Sequence, residues 1–191
     1  ERRLALSSGV DVWLSELFEQ AIGTHKTWSQ DFALVAVGSY GRRELGANSD
    51  LDLVLVHADS VTPDLVAEKL WYPIWDSGVN VDHSVRTIAG ARVIAASDVK
   101  AFTGLLDARH IAGNEELTLE LRGVITHCWR ATAKKSLPEL FELVAERRTN
   151  FGELFQLIEP NIKESYGGIR DATILGHLSA TWLVDLPRTE W

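Results

Sequence analysis

Val37-Gly38-Ser39-Tyr40-Gly41-Arg42-Arg43-Glu44-Leu45, followed after two residues by Asn48-Ser49-Asp50-Leu51-Asp52-Leu53-Val54-Leu55-Val56, organises the chain around one turn and one strand. Phe32 to Val37 is an apolar run, which predicts a strand buried on both faces, and Gly38 ends it where the backbone must turn sharply. Ser39 and the glycines leave backbone N–H groups uncrowded, so a turn opening into a short helix over Arg42 to Leu45 can cradle an anionic phosphate chain. Arg42 and Arg43 place positive charge beside it.

Ser49 to Val56 has the composition of a second strand, and strand alternation projects Asp50 and Asp52 from the same face. Their α-carbons then lie roughly 7 Å apart. Two acids that close repel unless a cation lies between them, and Mg²⁺ takes carboxylate oxygens together with substrate phosphate oxygens. The pair therefore predicts a metal site. Leu51, Leu53 and Leu55 face the other way, into a core that holds the acids in place.

Gly-Ser, Gly-Arg-x-Glu-Leu and Ser-Asp-x-Asp-Leu in this order and spacing resemble the nucleotidyltransferases of the DNA polymerase β superfamily. Val81-Asp82-His83-Ser84-Val85-Arg86-Thr87 and Asn161-Ile162-Lys163-Glu164-Ser165-Tyr166-Gly167-Gly168-Ile169-Arg170-Asp171 narrow the resemblance to the nucleotidyltransferase domain of the enzymes that uridylylate the nitrogen-regulatory PII signal protein. The similarity runs from about Ala33 to Leu175. It implies a mixed α/β (α+β) fold, with a small polymerase β-type sheet and helices over residues 1–95 and a helical region over 96–191 closing on the site.

At 191 residues and 46% apolar composition the chain can bury a substantial core. It begins at Glu1 and contains no methionine, which suggests an excised fragment or a processed product, and the resemblance implies that further regulatory domains are missing from it. A net charge of −8 and a pI near 5.2 argue against general nucleic-acid binding, which requires a basic face. Cys128 is the only cysteine, so no internal disulfide or Cys-rich zinc site can form, and a cytoplasmic setting fits. No apolar run approaches the roughly 18 residues of a membrane span.

Asp11 is placed to cap a helix over Val12 to Ile22, stopped by Gly23. Thr62-Pro63-Asp64 starts a helix reaching Trp75, and Val79 to Thr87 alternates as a third strand. Asp82 is then either a third carboxylate beside Asp50 and Asp52 or a solvated strand residue; His83 and Arg86 receive no assigned chemistry. From Ser97 the pattern is helical, with Phe102, Leu105, Leu106 and Ile111 as a stripe and Gly113 as the stop. Further helices are predicted from Asn114, from Ser136-Leu137-Pro138-Glu139 and over Phe151 to Ile158, with a last one from Ile169 through Trp182. Lys163 and Arg170 can reach phosphates or pair locally with Asp171. The seven tryptophans are spread along the chain and read mostly as packing.

The resemblance implies in-line attack by an acceptor hydroxyl on the α-phosphorus of a nucleoside triphosphate, with pyrophosphate leaving and two Mg²⁺ ions held by Asp50, Asp52 and Asp82. Gly38, Ser39 and Arg42, joined by Lys163 and Arg170, then bind UTP, or ATP as in some relatives, and the acceptor is a tyrosine of the PII protein. Glutamine synthetase adenylyltransferases share these elements, but their third-strand pattern differs from His83-Ser84-Val85-Arg86-Thr87. A non-catalytic nucleotide-sensing module is the alternative from another class. With no His-Asp dipeptide in the chain, hydrolytic removal of the nucleotide is not expected from these residues.

Overall fold

The computed structural model describes residues 1–23, 28–46 and 49–181. The elements in order are α1 (Arg2–Ile22), α2 (Trp28–Asp31), β1 (Phe32–Ala36), α3 (Gly38–Gly41), β2 (Leu51–His57), α4 (Asp64–Asp76), β3 (Val81–Arg86), α5 (Ile88–Ser97), α6 (Val99–Leu106), β4 (Arg109–Gly113), α7 (Glu115–Phe151), a 3₁₀ turn (Leu154–Gln156) and α8 (Ile169–Ser179). This is a mixed α/β chain. It divides into two compact units, Glu1–Ile125 and Thr126–Trp191.

The first unit is built on a four-stranded sheet of order β3-β2-β1-β4. β1 pairs antiparallel with β2 and β4, while β2 pairs parallel with β3, so the connection between those two needs the crossover helix α4. Every residue of β1 is buried, as its unbroken apolar composition demands of a central strand. Leu34, Ala36, Leu51, Leu53 and Leu55 face a core closed by Leu14 and Phe18 of α1 and by Val66, Leu70, Trp71 and Ile74 of α4. Both helices present an apolar face of residues three or four apart, which is what a helix needs to cover a sheet.

Several expectations are corrected. Asp11 is no cap: α1 starts at Arg2 and runs through it to the predicted stop at Gly23, whose φ is +61°. Thr62 precedes α4 by two residues, and Pro63 holds the cap position. Ile111 and Gly113 are not a helix stripe and stop. α6 ends at Leu106, and Arg109–Gly113 forms the edge strand β4, because fully buried β1 must find hydrogen-bond partners along both of its edges. Strand β4 belongs to the sheet, and residue 95 lies inside α5.

In the second unit the predicted restart at Ser136-Leu137-Pro138 does not occur, since α7 passes through Pro138. The proline removes one backbone donor, while Leu137 and Leu140 on either side of it are buried and keep the helix in place. Phe151 to Ile158 is not an amphipathic helix; α7 ends at Phe151 and only the Leu154–Gln156 turn follows. α8 ends at Ser179, and Trp182, the predicted end, lies outside the described residues. Among the described residues no helix is long and apolar enough to cross a membrane.

Candidate functional site

The predicted turn is present but displaced: the helical turn spans Gly38–Gly41 rather than Arg42 to Leu45. Gly38 has φ +56°, and a β-carbon built on it would lie 2.7 Å from Asp52 Oδ2. The left-handed φ is the physical reason for glycine here, and an added β-carbon would push the Asp52 carboxylate aside. The Val37 N–H also donates to the Asp52 carbonyl at 3.0 Å, so the end of β1 is tied to β2 at the aspartate. Glu44 N–H closes the turn on the Ser39 carbonyl at 2.9 Å, and Arg43 takes a left-handed φ of +59°.

β3 lies beside β2 as anticipated, and the parallel register sets Asp52 opposite Asp82. Paired residues of neighbouring strands share a face. Asp52 is half-buried and Asp82 exposed. Asp50 sits one residue before β2 and is exposed. Among the described residues no group of three or more His, Cys, Asp or Glu side chains is placed to hold a metal, so the three acids do not form a closed cluster. Their chemistry nonetheless fits Mg²⁺, which characteristically takes one or two carboxylates and completes its shell with water and substrate phosphate oxygens.

Arg42 does not point free charge at a ligand. Its Nε donates to Glu44 Oε2 at 2.9 Å and its Nη1 to Asp107 Oδ2 at 2.5 Å. Beneath the turn lies a group that sequence reasoning missed. Tyr40, fully buried, donates its hydroxyl to Asp11 Oδ1 at 2.5 Å, and the Arg109 fork donates to both Asp11 oxygens at 2.9 and 3.0 Å. Burial, and next the hydrogen bond to Asp11, push the Tyr40 phenol far above its ordinary value, so it stays protonated. No local signal links positions 11, 40 and 109, because only tertiary folding brings them together.

His83 packs on Trp71 and Trp75, with ring centroids 4.7 and 5.3 Å away. Arg86 ends β3 opposite Val56. His110 meets Thr118 Oγ1 through Nδ1 at 2.9 Å, and burial holds its pKa below the usual histidine value.

Lys163 and Arg170 belong to the second unit. Arg170 does not pair with Asp171: it donates to Glu164 through Nε at 3.0 Å and Nη2 at 2.7 Å, and this hydrogen bond chiefly holds the Glu164 carboxyl below its usual range. Asp171 pairs with Arg147 instead and accepts the Gly167 N–H at 2.6 Å. Lys163 is exposed, its backbone N–H donating to Asn161 Oδ1 at 3.1 Å. Gly167 has φ +87°, and an added β-carbon at Gly168 would run into the Ile162 and Ser165 carbonyl oxygens.

Residues 5–72 match the family described as "Putative nucleotidyltransferase DUF294". With the glycine turn and the Asp52 strand, this defines the chain as carrying a nucleotidyltransferase domain, an enzyme class. Over 189 residues the chain is 50% identical to the bifunctional uridylyltransferase/uridylyl-removing enzyme of Streptomyces coelicolor, covering 98% of this chain and 22% of that protein. The same enzyme of Mycobacterium tuberculosis strain H37Rv is 43% identical over 158 residues, 81% of this chain and 19% of that protein. The chain is similar to the uridylyltransferase/uridylyl-removing enzymes over most of its own length and spans about a fifth of the relatives' length. A solved toxin–antitoxin structure with AMP-PNP matches at TM-score 0.35 and 15% identity, over 71% of this chain and 90% of that one.

Proposed function

We propose that this domain moves a nucleoside monophosphate, UMP in the first place and AMP in the second, from its triphosphate to a tyrosine hydroxyl of the PII nitrogen-regulatory protein. The tyrosine oxygen bonds to the α-phosphorus, the α–β bridging P–O bond breaks, pyrophosphate leaves, and the hydroxyl proton passes to a carboxylate or to water. Asp52 and Asp82, joined by Asp50, would hold divalent cations, two Mg²⁺ in this reading. When bound, such ions neutralise charge on the triphosphate and acidify the attacking hydroxyl. The Gly38–Ser39 backbone binds the β- and γ-phosphates. Arg42 steadies that turn through Glu44 and Asp107. Lys163 and Arg170 are assigned to the nucleotide as well, and Arg170 must leave Glu164 to serve there.

The observation that carries the reading is the close seat of Gly38 on the Asp52 carboxylate. A phosphate on the turn backbone would lie within reach of a cation on that carboxylate, which is the juxtaposition nucleotidyl transfer needs. The uridylyltransferase activity of the relatives supports the base assignment. The test incubates the chain with a PII-type acceptor, Mg²⁺ and equal UTP and ATP, followed by intact mass of the acceptor. A UMP increment is the expected result, an AMP increment reassigns the base, and no increment from a chain that binds nucleotide and metal reduces the reading to a sensing module.

A further inference from the structure

Arg109 makes five contacts, all converging on one place. Its fork grips the Asp11 carboxylate, its Nε donates to the Gly41 carbonyl at 3.1 Å, its Nη2 also reaches the Tyr40 carbonyl at 3.2 Å, and its guanidinium lies over the Tyr40 ring, 5.1 Å from the centroid. The Arg109 and Asp11 side chains are only 18% and 20% exposed. A largely buried ion pair of this kind is a poor source of stability, because desolvation of both charges offsets most of their attraction. It is a good source of geometry, since a planar fork fixes both distance and orientation.

What it orients is the far end of the Gly38–Gly41 turn. The near end is seated on Asp52, and Gly41 packs so closely on the Asp107 carbonyl that no β-carbon fits. We propose that Asp11, Tyr40 and Arg109 form a positioning clamp that sets the Gly38–Gly41 turn against Asp52 for the nucleotide. This rests on the reading above that the turn receives the triphosphate. None of the three touches substrate; each acts through the turn backbone. α1 and β4 thereby become parts of the nucleotide site, although neither carries one of its motifs.

The test measures equilibrium binding of Mg·UTP and Mg·ATP, alongside melting temperature, for the chain and for Arg109→Lys, Asp11→Asn, the double variant and Tyr40→Phe. Arg109→Lys keeps the charge but loses the fork, and is expected to weaken Mg·UTP binding about tenfold, since ångström-scale misplacement of a binding group costs up to about a hundredfold. The double variant should bind no more weakly than the worse single one, because both substitutions release the same clamp; a merely structural role would lower the melting temperature and leave nucleotide binding by the folded variants unchanged. Tyr40→Phe, which removes one hydroxyl and keeps the ring, is expected to lose about threefold and serves if the charged variants fail to fold. A folded Arg109→Lys or Tyr40→Phe with unchanged nucleotide binding overturns the clamp. Absence of nucleotide binding by the unaltered chain overturns the site reading instead, so the two failures are distinguishable.

Discussion

The two glycine turns of this chain, Gly38–Gly41 in the first unit and Gly167–Gly168 in the second, look alike in sequence and are held differently. In the first, the turn is enclosed: Tyr40 and Gly41 are buried, and the ion pair beneath it is four-fifths buried. In the second, the Arg170–Glu164 pair that brackets the turn leaves Arg170 47% exposed, and the turn's own N–H groups go to Asp171 and the Ser165 carbonyl. Both turns place arginines that a sequence reading assigns to phosphates, and in both the guanidinium is already on a carboxylate. An arginine beside a glycine turn is thus as readily the brace of the turn as a ligand to what the turn binds.

The largest expected effect separates the turns by function. Asp52→Asn is expected to lower transfer about a hundredfold, or roughly 2.7 kcal/mol of transition-state stabilisation, without lowering the melting temperature. Lys163→Gln, altering an exposed charge, is expected to weaken nucleotide use only severalfold. Equal losses, read from initial rates with the acceptor, would break the distinction and make the second turn part of the chemistry.

Packing supplies the next comparison. Gly41→Ala and Gly168→Ala each force a β-carbon onto backbone carbonyls and are expected to cost about 1–3 kcal/mol. Amide hydrogen exchange should show the protection lost over residues 32–57 for Gly41→Ala and over residues 152–171 for Gly168→Ala. A single chain-wide loss from both would mean that the two units unfold as one.

The smallest effect is in pH. His110 titrates below its ordinary 6.5, so between its folded value and 6.5 the unfolded chain binds the extra proton and stability falls as pH drops through that window. Glu164 titrates below its ordinary 4.5, so its contribution is complete above 4.5 and is lost only as pH falls through the lower folded value. His110→Gln should flatten the dependence of melting temperature on pH below 6.5, and Glu164→Gln only below 4.5. Glu164→Gln should lower the melting temperature by a constant amount above 4.5, and a change of slope with pH near neutrality would contradict this order.

Much of the first unit was legible because its signals are local. The apolar run of Phe32 to Ala36 predicts a central strand, alternation across Leu51 to Leu55 separates acids from core, and the third strand lies where its pattern put it. The Asp52–Asp82 register follows once β2 and β3 are neighbours. By contrast, Arg109–Gly113 has no alternation to announce it, and Asp11 fits a helix cap as well as a helix interior. Pro138 signals a helix start only where the surrounding leucines are not already held in a continuing helix.

The order of residues along the chain was enough for the glycine turn and the aspartate strand, because each is a short-range pattern of backbone freedom, charge and alternation, and the resemblance carried by those motifs supplied the class of enzyme. Which carboxylate each arginine takes, the pairing of β4 with β1, and the meeting of Asp11, Tyr40 and Arg109 were settled only by the fold. Those choices depend on which buried donors and acceptors remain unpaired once the sheet has formed, and that is a property of the packed molecule rather than of any stretch of its sequence.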